Sequence, residues 1–271
     1  MTGMTSTGNE RNLNGNGAPG GNPAPAGPSS ADPAPPSTVD FPGLLSQTVD
    51  LDAVAHNVGA IKKASGARRL MAVVKADGYS QGAVQVACAA LAGGADQLGV
   101  ATLQESLELR EALELRGTGA TLLAWLWHPD EGLELEAAVA SGVQLGIPSE
   151  EHLEAAIAAG RRARVVPKIT VMADTGLNRS GIQVLGGAFR RAVPALADAH
   201  ARGEAQVTGV FSHLACADEP GHESIDMQAG RFREAADMLA EAGVGKQLNH
   251  LANSPAALPR PDLAFDMVRP G

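Results

Sequence analysis

Aromatic side chains are scarce in this chain: one tyrosine, two tryptophans and five phenylalanines among 271 residues. Any role that needs a phenol therefore falls to Tyr79. Cysteine is nearly absent. Cys88 and Cys216 alone form no disulfide framework, which points to a reducing, cytosolic setting. No apolar run approaches the ~20 residues a membrane-spanning helix needs, so no membrane partner is expected. A basic surface is missing as well: 30 acidic residues outnumber 21 Lys and Arg, giving a net charge of −9. That balance argues against a nucleic-acid partner. What is present, a 44% hydrophobic chain, is enough for one large domain with a real core.

Residues 1–40 differ from the rest. They are built from Gly, Pro, Ala, Ser, Thr and Asn, with almost no large apolar side chain before Phe41. Such a segment cannot bury enough surface to offset its ordering entropy, so it reads as a disordered tail. It has neither the apolar stretch of a secretory signal nor the arginines of a mitochondrial one. Residues 41–271 read as the folded domain.

In that domain Asp50 can cap a helix carrying Val54, Val58 and Ile61 on one face. Strand-like runs follow at 70–75, 97–102, 121–126, 143–147, 165–173, 207–214, 247–252 and 265–269. Amphipathic, alanine-rich stretches separate them. Residues 102–116 carry Leu103, Leu107, Leu109 and Leu113 near helical spacing, and Ser149 before Glu150-Glu151-His152-Leu153 has the form of a helix start. Eight strands alternating with helices in about 200 residues predict an α/β fold, a (β/α)8 TIM-type barrel. A doubly wound sheet is the alternative, but the first strand is not followed by a glycine-rich phosphate fingerprint. The eighth strand runs into Val268-Arg269-Pro270-Gly271 without a helix after it. The opening helix at about 50–64 is expected to fill that place in the outer ring.

The polar residues that carry chemistry fall at the carboxyl ends of these runs, where a barrel keeps its active site. Lys75 closes the first. Asp174-Thr175-Gly176-Leu177-Asn178-Arg179 follows the fifth, His213 ends the sixth, Asn253 and Ser254 end the seventh, and Arg269 ends the eighth. Desolvating a strand-end amine favours its neutral, nucleophilic form, which Schiff-base chemistry on a carbonyl or on pyridoxal phosphate requires. With His213, a serine hydroxyl, amide donors and an arginine beside it, Lys75 fits a site for an anionic cofactor. Taken singly, each residue has a plainer explanation. Lys75 could snorkel to solvent, Arg179 could pair with Asp174, His213 could be a satisfied core histidine, and Asn253-Ser254-Pro255 could be a turn. Trp125 and Trp127 read as core packing. His213, Cys216, Asp218 and His222 lack the usual zinc spacing, so no metal is expected.

The run Val73-Val74-Lys75-Ala76-Asp77-Gly78-Tyr79-Ser80-Gln81-Gly82 resembles the pyridoxal-phosphate lysine motif of alanine racemases. Ala173–Gly181, Ser212–Glu219, Ala252-Asn253-Ser254 and Val268–Gly271 are similar to further blocks of that family, in the same order. The resemblance covers about 48–271. It implies the amino-terminal barrel of a two-domain, homodimeric, pyridoxal 5'-phosphate-dependent racemase that interconverts L- and D-alanine for cell-wall peptidoglycan, without that family's carboxyl-terminal β domain. It also implies roles. Lys75 would hold the cofactor covalently and act as base on one face of the substrate. Tyr79, Ser254 and the Gly271 amide would bind the phosphate, with Asn253 beside them. His213 would flank the ring, Arg269 would face its nitrogen, and Arg179 would steer the substrate carboxylate.

Three departures stand out. Many members carry a carbamylated lysine two residues before the Asp of the DTG block, and here that residue is Met172; a thioether carries no carbamate, so Arg179 needs another anchor, such as a bound anion. Asp77-Gly78 and Ser80-Gln81 vary from the commonest forms of the lysine motif. The family's opposite-face base, a tyrosine of the carboxyl domain supplied by the partner subunit, has no counterpart here, so the chain reads as a fragment that is inactive alone. Two other readings remain: a single-domain pyridoxal-phosphate-binding homeostasis protein, and a metabolic barrel using Lys75 as an aldolase-type amine.

Overall fold

The computed structural model describes residues 46–245 and 247–271. The tail read as disordered, 1–40, lies outside the described residues. The strands and helices belong to the unit Thr48–Gly271.

Among the described residues eight strands form: β1 Arg69–Val73, β2 Gln97–Val100, β3 Thr121–Ala124, β4 Gln144–Ile147, β5 Lys168–Asp174, β6 Ile182–Gln183, β7 Gln206–Phe211 and β8 Met267–Val268. Every pairing is parallel, running β5-β4-β3-β2-β1-β8, with β7 on the other edge of β5. The expected seventh strand, 247–252, does not form a ladder. It is reduced to isolated parallel bridges, Phe211 with His250 and Asn253 with Arg269. Backbone bonds from Leu248 and His250 to Thr208 and Val210, and from Arg269 to Ala252, still seat this segment between β7 and β8. The curled sheet thereby closes in the eightfold order of a (β/α)8 barrel. The short β6 is an added pair on the β5 loop and not a barrel stave.

The strands are shorter than their apolar runs. β1 stops at Val73, β2 at Val100 and β3 at Ala124. In each case the extra residues belong to the loop at the carboxyl mouth.

The helices form where the sequence places them. In α1, Leu51–Ser65, the Asp50 carboxylate accepts the Ala53 amide at 2.9 Å. This helix packs on α3, Ala83–Ala92, and on β1. Between them α2, Lys75–Ser80, is a single turn with unusual backbone. The next helix, α4, spans Leu103–Glu114 and opens with a full capping box between Thr102 and Glu105. After α5, Gly132–Ala140, comes α6, Glu150–Ala163, capped by Ser149. The chain continues through α7, Ala188–Ala201, the long α8, Glu223–Glu241, and the one-turn α9, Ser254–Ala257. None of these helices is long and apolar enough to cross a membrane.

Two apolar clusters divide the interior. One, including Leu70, Leu98, Leu122, Leu145 and Val171, lies between strands and helices. The other is the barrel's own filling: Met71, Leu123, Phe211 and Met267, with Trp125, Met172 and Leu248 against them. Alternate residues of parallel strands point to opposite faces, which separates the two sets. The filling closes the barrel from below and leaves its carboxyl mouth open.

Candidate active site

Lys75 sits two residues past β1, where the chain enters left-handed backbone. Ala76, Asp77, Gly78 and Tyr79 have φ of +52°, +52°, +61° and +57°. Four of the five positive-φ residues from Ala76 to Ser80 carry side chains. Each costs roughly 1–2 kcal/mol against right-handed geometry, so the turn must be held from outside. Glu105 supplies one hold: its carboxylate accepts the Ala76 amide at 2.8 Å and the Ala101 amide at 2.7 Å. Asp77 supplies another, accepting the Ala83 amide at the start of α3 at 2.7 Å. The result puts Lys75 and Tyr79 at the same mouth, with Lys75 Nζ 5.9 Å from the tyrosine ring centre. Lys75 is half-buried, less enclosed than a strand-end reading suggests.

A cavity of about 280 Å3 opens there, and its walls include Lys75, Tyr79, Arg179, His213, Asn253, Ser254, Arg269 and Gly271. All the site residues named from sequence are thus brought together. At one end Gly271 N–H donates to Ser254 Oγ at 3.0 Å. A Cβ placed on Gly271 would meet Tyr79 Oη at 2.6 Å and Val73 Cβ at 2.9 Å. Only glycine lets these hydroxyls and the amide crowd one point. Burial pushes the Tyr79 phenol up, keeping it protonated and able to donate.

Arg269 is buried and its two terminal nitrogens are fully engaged. Nη1 donates to His250 O at 2.7 Å and His250 Nδ1 at 3.0 Å; Nη2 donates to Ser212 O at 2.6 Å and Leu251 O at 3.2 Å. Nε makes no hydrogen bond among the described residues. Burial brings this guanidinium down to about 10, so it is still charged at neutral pH. The His250 ring, stacked on Phe211 at 5.2 Å, is held neutral by burial and by Arg269. His213 is brought down to about 4, first by burial and then by the charges of Arg269, Arg179 and Lys75. A neutral imidazole therefore faces the cavity.

Arg179 is exposed at the rim. It does not pair with Asp174, whose Oδ1 instead accepts the amides of Gly176 and Asn178 at 2.9 and 3.1 Å and folds their loop. Met172 lines the cavity, where its thioether gives Arg179 no acceptor for an ion pair. Asn253 is the extended residue just before α9, so the run passes into a helical turn at Ser254; the buried Asn253 Oδ1 has no donor partner among the described residues. His222, one of the four residues whose spacing does not match a zinc site, caps α8 by accepting the Ser224 amide.

Both tryptophans pack as their sequence reading expects. Trp127 is buried, its Nε1 donating to Gly146 O at 2.9 Å. Trp125 packs against the barrel filling and also lines the cavity with Met172 and Phe211. Its ring passes so close to Gly99 and its Cβ so close to Gly146 that a Cβ on either glycine would lie 2.8 Å from it. Two glycines flanking the tryptophan strand were the available signal. Sequence reasoning also missed Gln228. It is a polar position on the otherwise apolar face of α8 formed by Ile225, Ala229 and Phe232, and that break in pattern marks it.

A family model described as alanine racemase, N-terminal domain, matches residues 49–271. An alanine racemase of Corynebacterium efficiens is 44% identical over 230 residues, covering 84% of this chain and 59% of the relative. One from Mycolicibacterium vanbaalenii is 47% identical over 229 residues, covering 84% and 56%. The crystal structure of alanine racemase from D-cycloserine-producing Streptomyces lavendulae superposes with a TM-score of 0.77 at 42% identity, covering 82% of this chain and 56% of that one. The chain thus spans less than three fifths of the length of these relatives. By the extent of that match, this chain belongs to the alanine racemase N-terminal domain family.

Proposed function

We propose that this chain is the cofactor-binding portion of a pyridoxal 5'-phosphate-dependent enzyme that interconverts L- and D-alanine. The observation that carries the reading is convergence: eight residues from separate stretches of sequence meet in one cavity. The donor set suits the cofactor. Tyr79, Ser254 and the Gly271 amide lie together at one end, where a phosphate would take the Tyr79 hydroxyl directly and the other two donors by replacing the bonds that Ser254 and Gly271 make to each other, and the unpartnered Asn253 Oδ1 leaves an acceptor open to a bound group. When bound, pyridoxal phosphate supplies a conjugated ring that withdraws electrons from the substrate's Cα–H bond.

The chain's own residues would do the rest. The Lys75 amine would hold the cofactor and would take or return a proton on one face of the substrate's Cα. Neutral His213 flanks the ring without adding charge. Arg269, whose Nε–H has no partner among the described residues, would meet the ring nitrogen with a group that does not readily give up a proton. Such a partner would temper electron withdrawal by the ring and favour return of the proton over side reactions. Arg179 at the rim, free of Asp174, draws in the substrate carboxylate. Free Cys88 and Cys216 agree with work in the reducing cytoplasm. Dimerisation is proposed from the family alone.

The test is reduction with borohydride in the presence of pyridoxal phosphate, followed by peptide mapping. The pyridoxyl group is expected on Lys75. Stoichiometric labelling on Lys62, Lys63 or Lys168 would overturn the reading.

A further inference from the structure

Gln228 lies on α8, outside the cavity and 1% exposed, yet its amide reaches two of the loops that build the site. Nε2 donates to His213 O at 3.1 Å and to Thr175 Oγ1 at 3.2 Å, and Oε1 accepts the Ala215 amide at 2.9 Å. Thr175 Oγ1 shares a hydrogen bond of 2.9 Å with Ser212 Oγ. One helical turn on, Arg231 Nη1 donates to Thr175 O at 2.9 Å. Gly176 makes room for this grip: a Cβ there would meet Arg231 Nη1 at 3.0 Å.

One amide therefore joins the β5 loop, which carries Arg179, to the end of β7, which carries His213. The link extends to Arg269, because Ser212 gives its hydroxyl to Thr175 and its carbonyl to Arg269. A helix capping a loop would satisfy one chain segment. Here one side chain, itself buried, uses both donors and its acceptor on two segments about forty residues apart. Fully satisfied buried amides of this kind fix a single arrangement of the groups they join.

We infer that Gln228 is a positioning residue that locks the Arg179 loop and the His213 strand end into one register around the cofactor. This rests on the proposed function, since the register matters only for the group that fills the cavity.

The experiment compares the 271-residue chain with Gln228→Met, which keeps length but loses all three hydrogen bonds, and with Gln228→Glu, which loses both donors. Phe232→Leu serves as control: it sits one turn further along α8 and is buried against Phe265. Two quantities are read: the dissociation constant for pyridoxal phosphate, with trapping on Lys75, and amide hydrogen exchange across 174–180 and 212–215. In both Gln228 variants the two loops should lose protection together and cofactor affinity should fall by about ten-fold. Phe232→Leu should lower the unfolding midpoint while holding affinity within about two-fold. If Gln228→Met binds cofactor as tightly as Phe232→Leu does, the residue is merely structural and the inference fails, even where the loops loosen. If the wild-type chain is never labelled on Lys75, the functional reading itself falls and takes this inference with it; the wild-type arm thus separates the two failures.

Discussion

Arg269 concentrates much of the site's order in one side chain. Its terminal nitrogens serve the carbonyls of His250, Ser212 and Leu251 and the ring of His250. Arg269→Lys keeps the charge but not the planar fork, so some of these buried acceptors go unpaired at ~1–3 kcal/mol each. Denaturant unfolding should show a loss of about 2–4 kcal/mol, and affinity for pyridoxal phosphate should fall while labelling still maps to Lys75. Unchanged stability would mean that the guanidinium's bonds are replaceable. His213 makes a second residue-scale prediction. Its folded value, about 4, lies below the ordinary 6.5. The unfolded chain therefore takes up a proton first as pH falls, and stability is full above about 6.5 and declines toward 4. His213→Gln should remove up to ~3 kcal/mol of that acid-side decline, measured by denaturant unfolding at pH 7 and 4.5. An identical slope in the variant would show that other groups, such as buried His250, carry the pH dependence.

Among the elements, the left-handed turn after β1 shows where sequence pattern stops being informative. The mouth of the barrel was legible because polar residues stand where apolar runs stop, even though several strands end two or three residues earlier; Lys75, His213, Asn253 and Arg269, picked out that way, do line one cavity. The turn itself was not legible. Ala76, Tyr79 and Ser80 have no local preference for positive φ and Asp77 only a mild one, and tertiary bonds from Glu105 and Asp77 override what these residues would do alone. The seventh stave was misread as a full strand for a similar reason, since its apolar run is satisfied by two bridges and side-chain bonds in place of a ladder. Trp125 was legible as a core residue, but its second place in the cavity wall was not, because the direction of a ring cannot be read from sequence. The turn yields a test. Glu105→Gln places an N–H2 group toward at least one of the amides the carboxylate now accepts, so the hold on Ala76 or on Ala101 weakens. Trapping of pyridoxal phosphate on Lys75 should drop by about ten-fold at subsaturating cofactor, the cost of one such hydrogen bond. Thr102→Val removes the cap of the same helix without touching Ala76 and should leave trapping unchanged. Equal effects in the two variants would reduce Glu105 to an ordinary capping residue.

At the scale of the whole molecule, the question is which chemistry these 271 residues can complete. Racemisation requires a proton to leave one face of Cα and another to arrive on the opposite face. On the proposed function, Lys75 would serve one face. A phenol for the other is not available within the chain, because its only tyrosine, Tyr79, stands four residues from Lys75 with its hydroxyl against Gly271 and the proposed phosphate end. His213 is neutral but lies beside the proposed ring position, and Arg179 and Arg269 do not exchange protons readily at neutral pH. The relatives are longer, with this chain matching 56–59% of their length. The expected outcome is that the 271-residue chain, saturated with cofactor, exchanges the α-proton of one alanine enantiomer with solvent but racemises slowly. A missing acid–base partner costs about 10²–10⁴-fold, and an open mouth that admits water adds to the deficit. The measurement pairs solvent-deuterium incorporation into D- and L-alanine with racemase turnover, for this chain and for a chimera extended by the carboxyl domain of the Corynebacterium efficiens relative. Exchange confined to one enantiomer, with turnover recovered in the chimera, fits a one-base site. Equal racemase turnover in both proteins would instead place a second base within the barrel, and His213 would be the first residue to replace.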